Sequence, residues 1–208
     1  MTESEVKITI EEIGYLKVLE YFDSSLKATQ NQWNVYFDTV DFDLRKSRRN
    51  LRLRSVRAGK EPTKWIVTVK RPGVFRNGIA IRPERNYEIP NEIAQEILAH
   101  PCDIMKNIPK KARKYLKDCV DWKFRIVGDY ITIRRVISFE DLTIEADETI
   151  LPNKEKLYEL EIECDEPQIA KQKMKEINVR YVNSSVSKLG FLLNLRSSQR
   201  TSRVFSEL

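Results

Sequence analysis

Short segments in which a polar or charged residue alternates with an apolar one recur along the chain, the period of two expected of strands whose faces meet different surroundings. The first runs Glu3-Ser4-Glu5-Val6-Lys7-Ile8-Thr9-Ile10, and the design returns in Leu51-Arg52-Leu53-Arg54, Trp65-Ile66-Val67-Thr68-Val69-Lys70 and Ile79-Ala80-Ile81-Arg82-Pro83-Glu84. Ile131-Thr132-Ile133-Arg134, Leu142-Thr143-Ile144-Glu145-Ala146-Asp147 and Tyr158-Glu159-Leu160-Glu161-Ile162-Glu163 repeat it. Together with Asn34-Val35-Tyr36-Phe37-Asp38 they make about eight strand candidates. Helical patterns lie between them: Glu12 to Phe22 with Ile13, Leu16 and Leu19 on one stripe, and Asn91 to Ala99 with Ile93 and Ile97. Segments 104–118, 168–177 and 184–195 also read as helices. Arg71-Pro72-Gly73 and Glu61-Pro62 read as turns, and Arg196 to Leu208 as a polar basic tail. The expected organisation is one domain over 1–195, then the tail over 196–208.

The charged faces of these strands repeat like charge. In Glu3/Glu5/Lys7 and Glu159/Glu161/Glu163 neighbours on one face lie only about 7 Å apart, so they need counter-ions. An open sheet with its charged face in solvent fits the alternation equally well on pattern alone. A closed barrel would supply the counter-ions from opposite walls and remove the exposed edges. The expected fold is therefore α+β dominated by β, an eight-stranded antiparallel closed barrel, or tunnel, with a charged interior and helices packed on the outside. An outer-membrane barrel would share the alternation but carries an export signal and no amphipathic helices between its strands.

The chain has 208 residues, 33% of them charged and 41% hydrophobic, which suits a single globular domain with many charges to place. A net charge of +6 suits an anionic partner. Cys102, Cys119 and Cys164 are odd in number and widely spaced, which points to a reducing, cytoplasmic setting with buried, inert thiols. No stretch approaches the roughly 20 apolar residues of a membrane span. A soluble monomer without membrane contact is expected. The basic runs Arg48, Arg49, Lys110, Lys111, Arg113 and Lys114 read as solvated faces, and Trp33, Trp65 and Trp122 form no evenly spaced platform, so no specific nucleic-acid partner is expected. With His100 the only histidine and six scattered glycines, neither a Ser-His-Asp arrangement nor a Gly-rich phosphate loop is available.

By sign, the candidate inward residues are Glu3, Glu5, Glu84, Glu145, Asp147, Glu159, Glu161 and Glu163 against Lys7, Arg52, Arg54, Lys70, Arg82 and Arg134. A channel holding both signs suits a phosphate chain that carries Mg²⁺ or Mn²⁺: arginine forks grip phosphate oxygens, and carboxylates hold a hard cation.

Glu3-Ser4-Glu5-Val6-Lys7 resembles the E-x-E-x-K signature of the CYTH superfamily, also called triphosphate tunnel metalloenzymes. Phe37-Asp38-Thr39, Leu51-Arg52-Leu53-Arg54, Thr68-Val69-Lys70, Glu145-Ala146-Asp147-Glu148-Thr149, Tyr158 to Glu163 and Ser187-Lys188 follow in the family's order. The resemblance implies an eight-stranded antiparallel tunnel for a triphosphate group and a divalent metal, Mg²⁺ or Mn²⁺. It implies that Lys7, Arg52, Arg54, Lys70, Arg134 and Lys188 hold phosphate, with Arg82 a further candidate beside Pro83, which would interrupt the ladder before Glu84. Glu3, Glu159 and Glu161 would hold one metal, while Glu5 and Asp147 would position a second metal or the attacking water. The catalytic set is then Glu5, Lys7, Arg52 and Asp147, and the metal set Glu3, Glu5, Glu159 and Glu161. Lys188 sits on a predicted helix and enters the tunnel through the resemblance alone.

Phe37-Asp38-Thr39 with Asp43-Leu44, Asn77-Gly78-Ile79 and Asp147-Glu148-Thr149 are most similar to the plant-type triphosphatases. Animal thiamine triphosphatases place a tryptophan where this chain has Asn50, and class IV adenylate cyclases a histidine motif where it has Tyr36-Phe37-Asp38. The resemblance therefore implies metal-dependent hydrolysis of the terminal phosphoryl group of inorganic triphosphate, a small-molecule substrate. A thiamine triphosphatase, a nucleoside or RNA 5′-triphosphatase and a non-catalytic polyphosphate-binding module are the alternatives. Crowding of Glu3, Glu5, Glu159 and Glu161 predicts that Glu161→Gln melts at or above the wild-type temperature.

Overall fold

Each alternating segment becomes a strand, and Val6 with Ile8, Leu51 with Leu53, Val67 with Val69, and Leu160 with Ile162 are buried on one side of the sheet. The computed structural model describes residues 2–76, 79–119, 122–163, 167–184 and 187–194; of these, the side chains of 2–5, 74–76, 79–82, 117 and 167 lie outside the description. The order is β1 (Thr2–Ile10), α1 (Glu12–Tyr21), β2 (Leu26–Asp38), α2 (Asp43–Lys46), β3 (Asn50–Ala58), β4 (Lys64–Lys70), β5 (Val74–Arg76) and β6 (Ile79–Ile89). Then come α3 (Asn91–Ala99), α4 (Ile104–Asn107), α5 (Lys110–Arg113), β7 (Arg125–Phe139), β8 (Leu142–Ile150), β9 (Lys156–Glu163), α6 (Pro167–Glu176) and β10 (Tyr181–Asn183). A last helix, α7, covers 188–194.

The strands form one antiparallel sheet in the order β10-β1-β9-β8-β7-β2-β3-β4-β6-β5. On the edge of β1 away from β9, the first half pairs with β6, from Thr2↔Pro83 to Val6↔Ile79, and the second half pairs with β10. Pro83 does not interrupt the ladder as expected: β6 runs through it and keeps Glu84 opposite Lys70, while its carbonyl accepts the Arg71 N–H at 3.1 Å.

Helices cover the apolar face in two groups. Val6, Ile8, Ile144, Leu160 and Ile162 pack with Tyr15, Val18 and Phe22 of the α1 region and with Ala170 and Met174 of α6. Val35, Leu51, Leu53, Val67 and Val69 pack under Ala94 and Ile97 of α3 and Ile104, Ala112 and Leu116 beyond it. Burial of such aliphatic side chains contributes about 1.5–3 kcal/mol each and holds the sheet. Among the described residues no helix is long and apolar enough to cross a membrane.

Several expectations are corrected. The α1 stripe is Tyr15, Val18 and Phe22, whereas Ile13 is 68% and Leu16 57% exposed; only Leu19 of the expected set packs on the core. Two stripes compete on this helix, and the one whose Tyr15 ring meets Tyr158 at 4.9 Å faces the sheet. Segment 104–118 is not one helix: Pro109, with no N–H to give, separates α4 from α5, and a tight 3₁₀ turn follows over Lys114–Cys119. Residues 181–183, just before the expected last helix, pair with β1 as β10. Cys119 is buried but Cys102 is exposed, contrary to the expectation of buried thiols. Cys164, Asn77, Gly78 and the 196–208 tail lie outside the described residues.

Candidate functional site

The polar face of the sheet lines a cavity of about 250 Å³ whose wall includes Lys7, Arg52, Arg54, Lys70, Arg134 and Lys188. Cross-strand register brings them together. On one side Lys7 faces Glu161, Glu161 faces Glu145, Arg134 faces Asp147, and Asp147 faces Glu159. On the other, Tyr36 faces Arg52, Arg52 faces Thr68, Thr68 faces Asn86, and Lys70 faces Glu84.

The first wall is an ion-pair network. Arg134 Nε and Nη2 donate to the two oxygens of Asp147, each at 2.7 Å, and Nη2 also reaches Glu161 Oε2 at 2.7 Å, while Nη1 pairs with Glu145. Lys188, at the start of α7, places its ammonium 2.5 Å from Asp147, 3.0 Å from Glu159 and 3.4 Å from Glu161. Lys7 pairs with Glu161 and lies 3.6 Å from Glu159. Burial alone would raise the Glu161 carboxyl, but Lys188, Lys7 and Arg134 outweigh it and hold it well below the usual range. Asp147 is lowered in the same way, burial being overcome by Lys188 and Arg134. Glu145 goes the other way, up to about 7: burial leads, Arg134 pulls it down, and Glu161 and Asp147 push it up. Arg134 is shared by three carboxylates, and Glu145, unlike Asp147 and Glu161, has no second cation within ion-pair distance among the described residues. Because Glu161 is held by three cations, the expected gain in stability for Glu161→Gln is reversed, and the substitution should destabilise.

The second wall is short of carboxylates. Arg52 is buried, its Nη2 donates to Thr68 Oγ1 at 3.2 Å, Glu84 lies 3.6 Å away, and its Nε is buried without a hydrogen-bond partner. Arg54 donates to Asn34 Oδ1 at 2.8 Å and has no carboxylate within ion-pair distance among the described residues. Burial, then Arg52 and Arg134, push its pKa down to about 10. Glu84 pairs with Lys70, and burial is outweighed there by Lys70 and Arg52, so its carboxyl is lowered. The Tyr36 and Tyr130 hydroxyls meet at 2.8 Å.

The segment Phe37-Asp38-Thr39 builds the wall rather than lining it. Asp38 accepts the N–H groups of Thr39, Leu44 and Arg45 at 2.8, 2.9 and 3.0 Å, which caps α2 and turns the chain from β2 into β3. At the other end of the site Gly128 of β7 leaves a notch for α7: a Cβ there would stand 2.6 Å from Leu192 Cδ2.

Of the site residues expected from sequence, Lys7, Arg52, Arg54, Lys70, Arg134, Asp147, Glu161 and Lys188 line one cavity, with Glu159 against Lys188. The side chains of Glu3, Glu5 and Arg82 lie outside the description, although their backbone places Glu3 opposite Arg82 and Glu5 opposite Glu163. Gln32, Tyr36, Asn86, Tyr130 and Thr132 also line the cavity and escaped the sequence reading. For three of them a signal was present, because Asn86 continues the period-two face of Glu84, and Tyr130 and Thr132 that of Arg134, whereas Gln32 and Tyr36 lie on β2, which carries no inward charge. For a divalent metal, the oxygen donors of Glu145, Asp147, Glu159 and Glu161 are of the right hardness, and the buried Glu159 Oε2 is held by ion pairs to Lys188 and Lys7 rather than by a well-directed hydrogen bond. Among the described residues no three such groups converge as a ready metal site, since the Lys188 ammonium occupies the focus of Asp147, Glu159 and Glu161.

The fold matches known structures. The Hippeastrum protein HpAC1, an adenylyl cyclase candidate described by a dominant triphosphatase activity, is 24% identical with a TM-score of 0.82, over 95% of this chain and 96% of that one. An adenylate cyclase candidate from Bacillus halodurans is 21% identical, TM-score 0.67, over 90% and 96%. The PH1819 protein of Pyrococcus horikoshii OT3 is 20% identical, TM-score 0.60, over 91% and 98%. At these identities the likeness is one of fold. No curated protein gives a significant sequence match. The CYTH domain model matches residues 1–189, nearly the whole described chain, and the protein belongs to the CYTH family.

Proposed function

We propose that this protein hydrolyses the terminal phosphoryl group of inorganic triphosphate, with Mg²⁺ or Mn²⁺, inside a closed eight-stranded tunnel. The pairing of β1 with both β9 and β6 supports closure, because the ladder from β1 through β9, β8, β7, β2, β3, β4 and β6 then returns to its start. The observation that carries the activity is the second wall: Arg52, with a buried Nε that has no hydrogen-bond partner, Arg54, with its pKa pushed down to about 10, and Lys70 have only Glu84 among them, fewer anions than their charge calls for. A phosphate chain supplies it.

In this reading Arg52, Arg54 and Lys70 grip phosphate oxygens through charge-assisted hydrogen bonds, and Arg82 extends the set. Lys7, Arg134 and Lys188 face the chain from the first wall and neutralise charge that builds on its oxygens as the bond to the leaving group breaks. Glu3, Glu5, Glu159 and Glu161 are the residues that would hold the divalent ion, which would add Lewis-acid stabilisation of the phosphate oxygens. Asp147 and Glu5 orient the attacking water. No covalent intermediate is needed. The polar cavity of about 250 Å³ suits a bare phosphate chain, and Asn50, where a stacking ring would serve thiamine, lines it with an amide.

The test is phosphate release by the purified chain from triphosphate with Mg²⁺ or Mn²⁺, alongside thiamine triphosphate, ATP and 5′-triphosphate RNA. Triphosphate should be the best substrate. No release with either metal would refute the hydrolase, and a large preference for thiamine triphosphate would refute the substrate assignment.

A further inference from the structure

Two tyrosines reach the cavity from neighbouring strands, Tyr36 from β2 and Tyr130 from β7, and their hydroxyls meet at 2.8 Å. Both residues are buried, 6% and 3% exposed. Behind the hydroxyls the rings pack with Val127, Leu151, Leu192 and Leu193, so the sheet and α7 together hold them in place.

The pair holds one proton more than it can place. Two neutral phenols carry two O–H donors, and the hydrogen bond between them uses one. The other has no acceptor among the described residues. The charged groups acting most strongly on the two hydroxyls are cations: Arg52, Arg54 and Lys70 on Tyr36, and Lys188 and Arg52 on Tyr130. None of these can accept a hydrogen bond. A buried donor without an acceptor is costly, and a phosphate oxygen is the acceptor that the same cations attract.

We propose that Tyr36 is a further substrate-binding residue, donating its phenolic hydrogen to an oxygen of the phosphate chain while Tyr130 donates to Tyr36 from behind. This rests on the triphosphate reading of the cavity. Tyr36 is the member that meets the ligand because it stands opposite Arg52 across the β2–β3 ladder, on the wall short of anions. Its acidity agrees. Burial would raise the Tyr36 hydroxyl, but Arg52, the hydrogen bond with Tyr130, Arg54 and Lys70 outweigh it and lower the pKa, whereas burial and then Tyr36 hold Tyr130 well above its ordinary value. The better donor of the two then faces the strongest acceptor, and the negative phosphate keeps the proton on the pair. A neutral donor among arginines adds direction to the grip without adding charge.

Equilibrium binding of triphosphate to the full chain in chelator tests this with Tyr36→Phe and Tyr130→Phe, each of which removes one hydroxyl and keeps the ring. Tyr36→Phe should weaken binding about ten- to a hundredfold, the scale of a lost hydrogen bond to a charged group. Tyr130→Phe leaves the Tyr36 proton in place and should weaken binding only severalfold. Either variant still holds one unplaced O–H, as the wild type does, so melting without ligand should differ little between the two. Unchanged affinity in Tyr36→Phe overturns the proposal. So does a loss in Tyr130→Phe as large as that in Tyr36→Phe, or a Tyr36→Phe chain that melts far below Tyr130→Phe, since either would make the hydroxyl pair a structural unit. Phosphate release separates this from the reading it rests on. A wild-type chain that binds triphosphate through Tyr36 yet releases no phosphate with either metal refutes the hydrolase alone, and one whose binding and turnover ignore Tyr36→Phe refutes this proposal alone.

Discussion

The two walls of the cavity use the same residue types in opposite proportion. Along β1, β7, β8 and β9, with α7, the carboxylates of Glu145, Asp147, Glu159 and Glu161 meet Lys7, Arg134 and Lys188, and every cation is engaged. Along β2, β3, β4 and β6, Arg52 and Lys70 share Glu84, Arg54 has only the Asn34 amide oxygen, and hydroxyls and amides fill the remaining partner positions. The first wall is internally neutralised and resembles a structural network. The second is a cation surplus held by neutral groups, which is costly without an anion. The neutralised network and the unmet demand for an anion therefore reside in different strands of one sheet.

The sharpest way to break this comparison is to remove one arginine from each wall. Arg134→Met takes away the guanidinium shared by Asp147, Glu145 and Glu161 and leaves buried carboxylates uncompensated, which should cost about 3–5 kcal/mol. For a chain of this length the melting temperature should fall by on the order of 10 °C. Arg52→Ala should leave melting unchanged or slightly higher, since Glu84 keeps Lys70, while triphosphate turnover falls by roughly 10²–10³. Thermal melts and phosphate release on both variants decide it. Equal losses of stability would erase the distinction between the walls.

A finer cut concerns how α7 reaches the first wall. Gly128→Ala places a Cβ 2.6 Å from Leu192 Cδ2 and should push the helix outward, at about 1–3 kcal/mol. Lys188 would retreat from Asp147 with it, so turnover should fall. Leu192→Ala in the same chain reopens the space and should restore turnover while remaining less stable. Failure of that second substitution to rescue activity would separate the Gly128 notch from the placement of Lys188.

The two walls also differed in how far they could be read from sequence. The inward charges of both followed from the period of two, because side chains on one strand face obey local geometry. Which acid meets which base did not follow: the sharing of Arg134 among three carboxylates depends on register between β7, β8 and β9. Lys188 is the extreme case, since a helical position carries no period-two signal and its helix packs Leu192 against Gly128, a residue of the distant strand β7. The reversed expectation for Glu161 has the same origin. Like charges crowd along β9, but Lys7 and Lys188 arrive from other elements. On the outer face, Tyr15 and Val18 displaced Ile13 and Leu16 because aromatic contact with Tyr158 is a tertiary fact.

The smallest expected effect isolates one carboxylate of the first wall by pH. Glu145 is pushed up to about 7 by burial first, against the pull of Arg134 and with the push of Glu161 and Asp147, from an ordinary value of 4.5. A raised acid binds its proton more tightly in the folded state, so its contribution to stability is fully present below about pH 4.5 and is lost as pH rises towards 7. Glu161 has the opposite sign: it is held well below 4.5, so its contribution is present above that value and is lost on acidification. Stability of the whole chain mixes the two, but the difference between wild type and Glu145→Gln removes the Glu161 contribution. The variant should melt close to wild type at about pH 5 and a few degrees above it at about pH 8, because the glutamine keeps an acceptor for Arg134 without adding charge beside Glu161 and Asp147. The gap should open between pH 4.5 and 7. Parallel melting curves across that window would mean that Arg134 keeps Glu145 ionised alongside Asp147 and Glu161, and the first wall would then carry its full complement of charge at neutral pH.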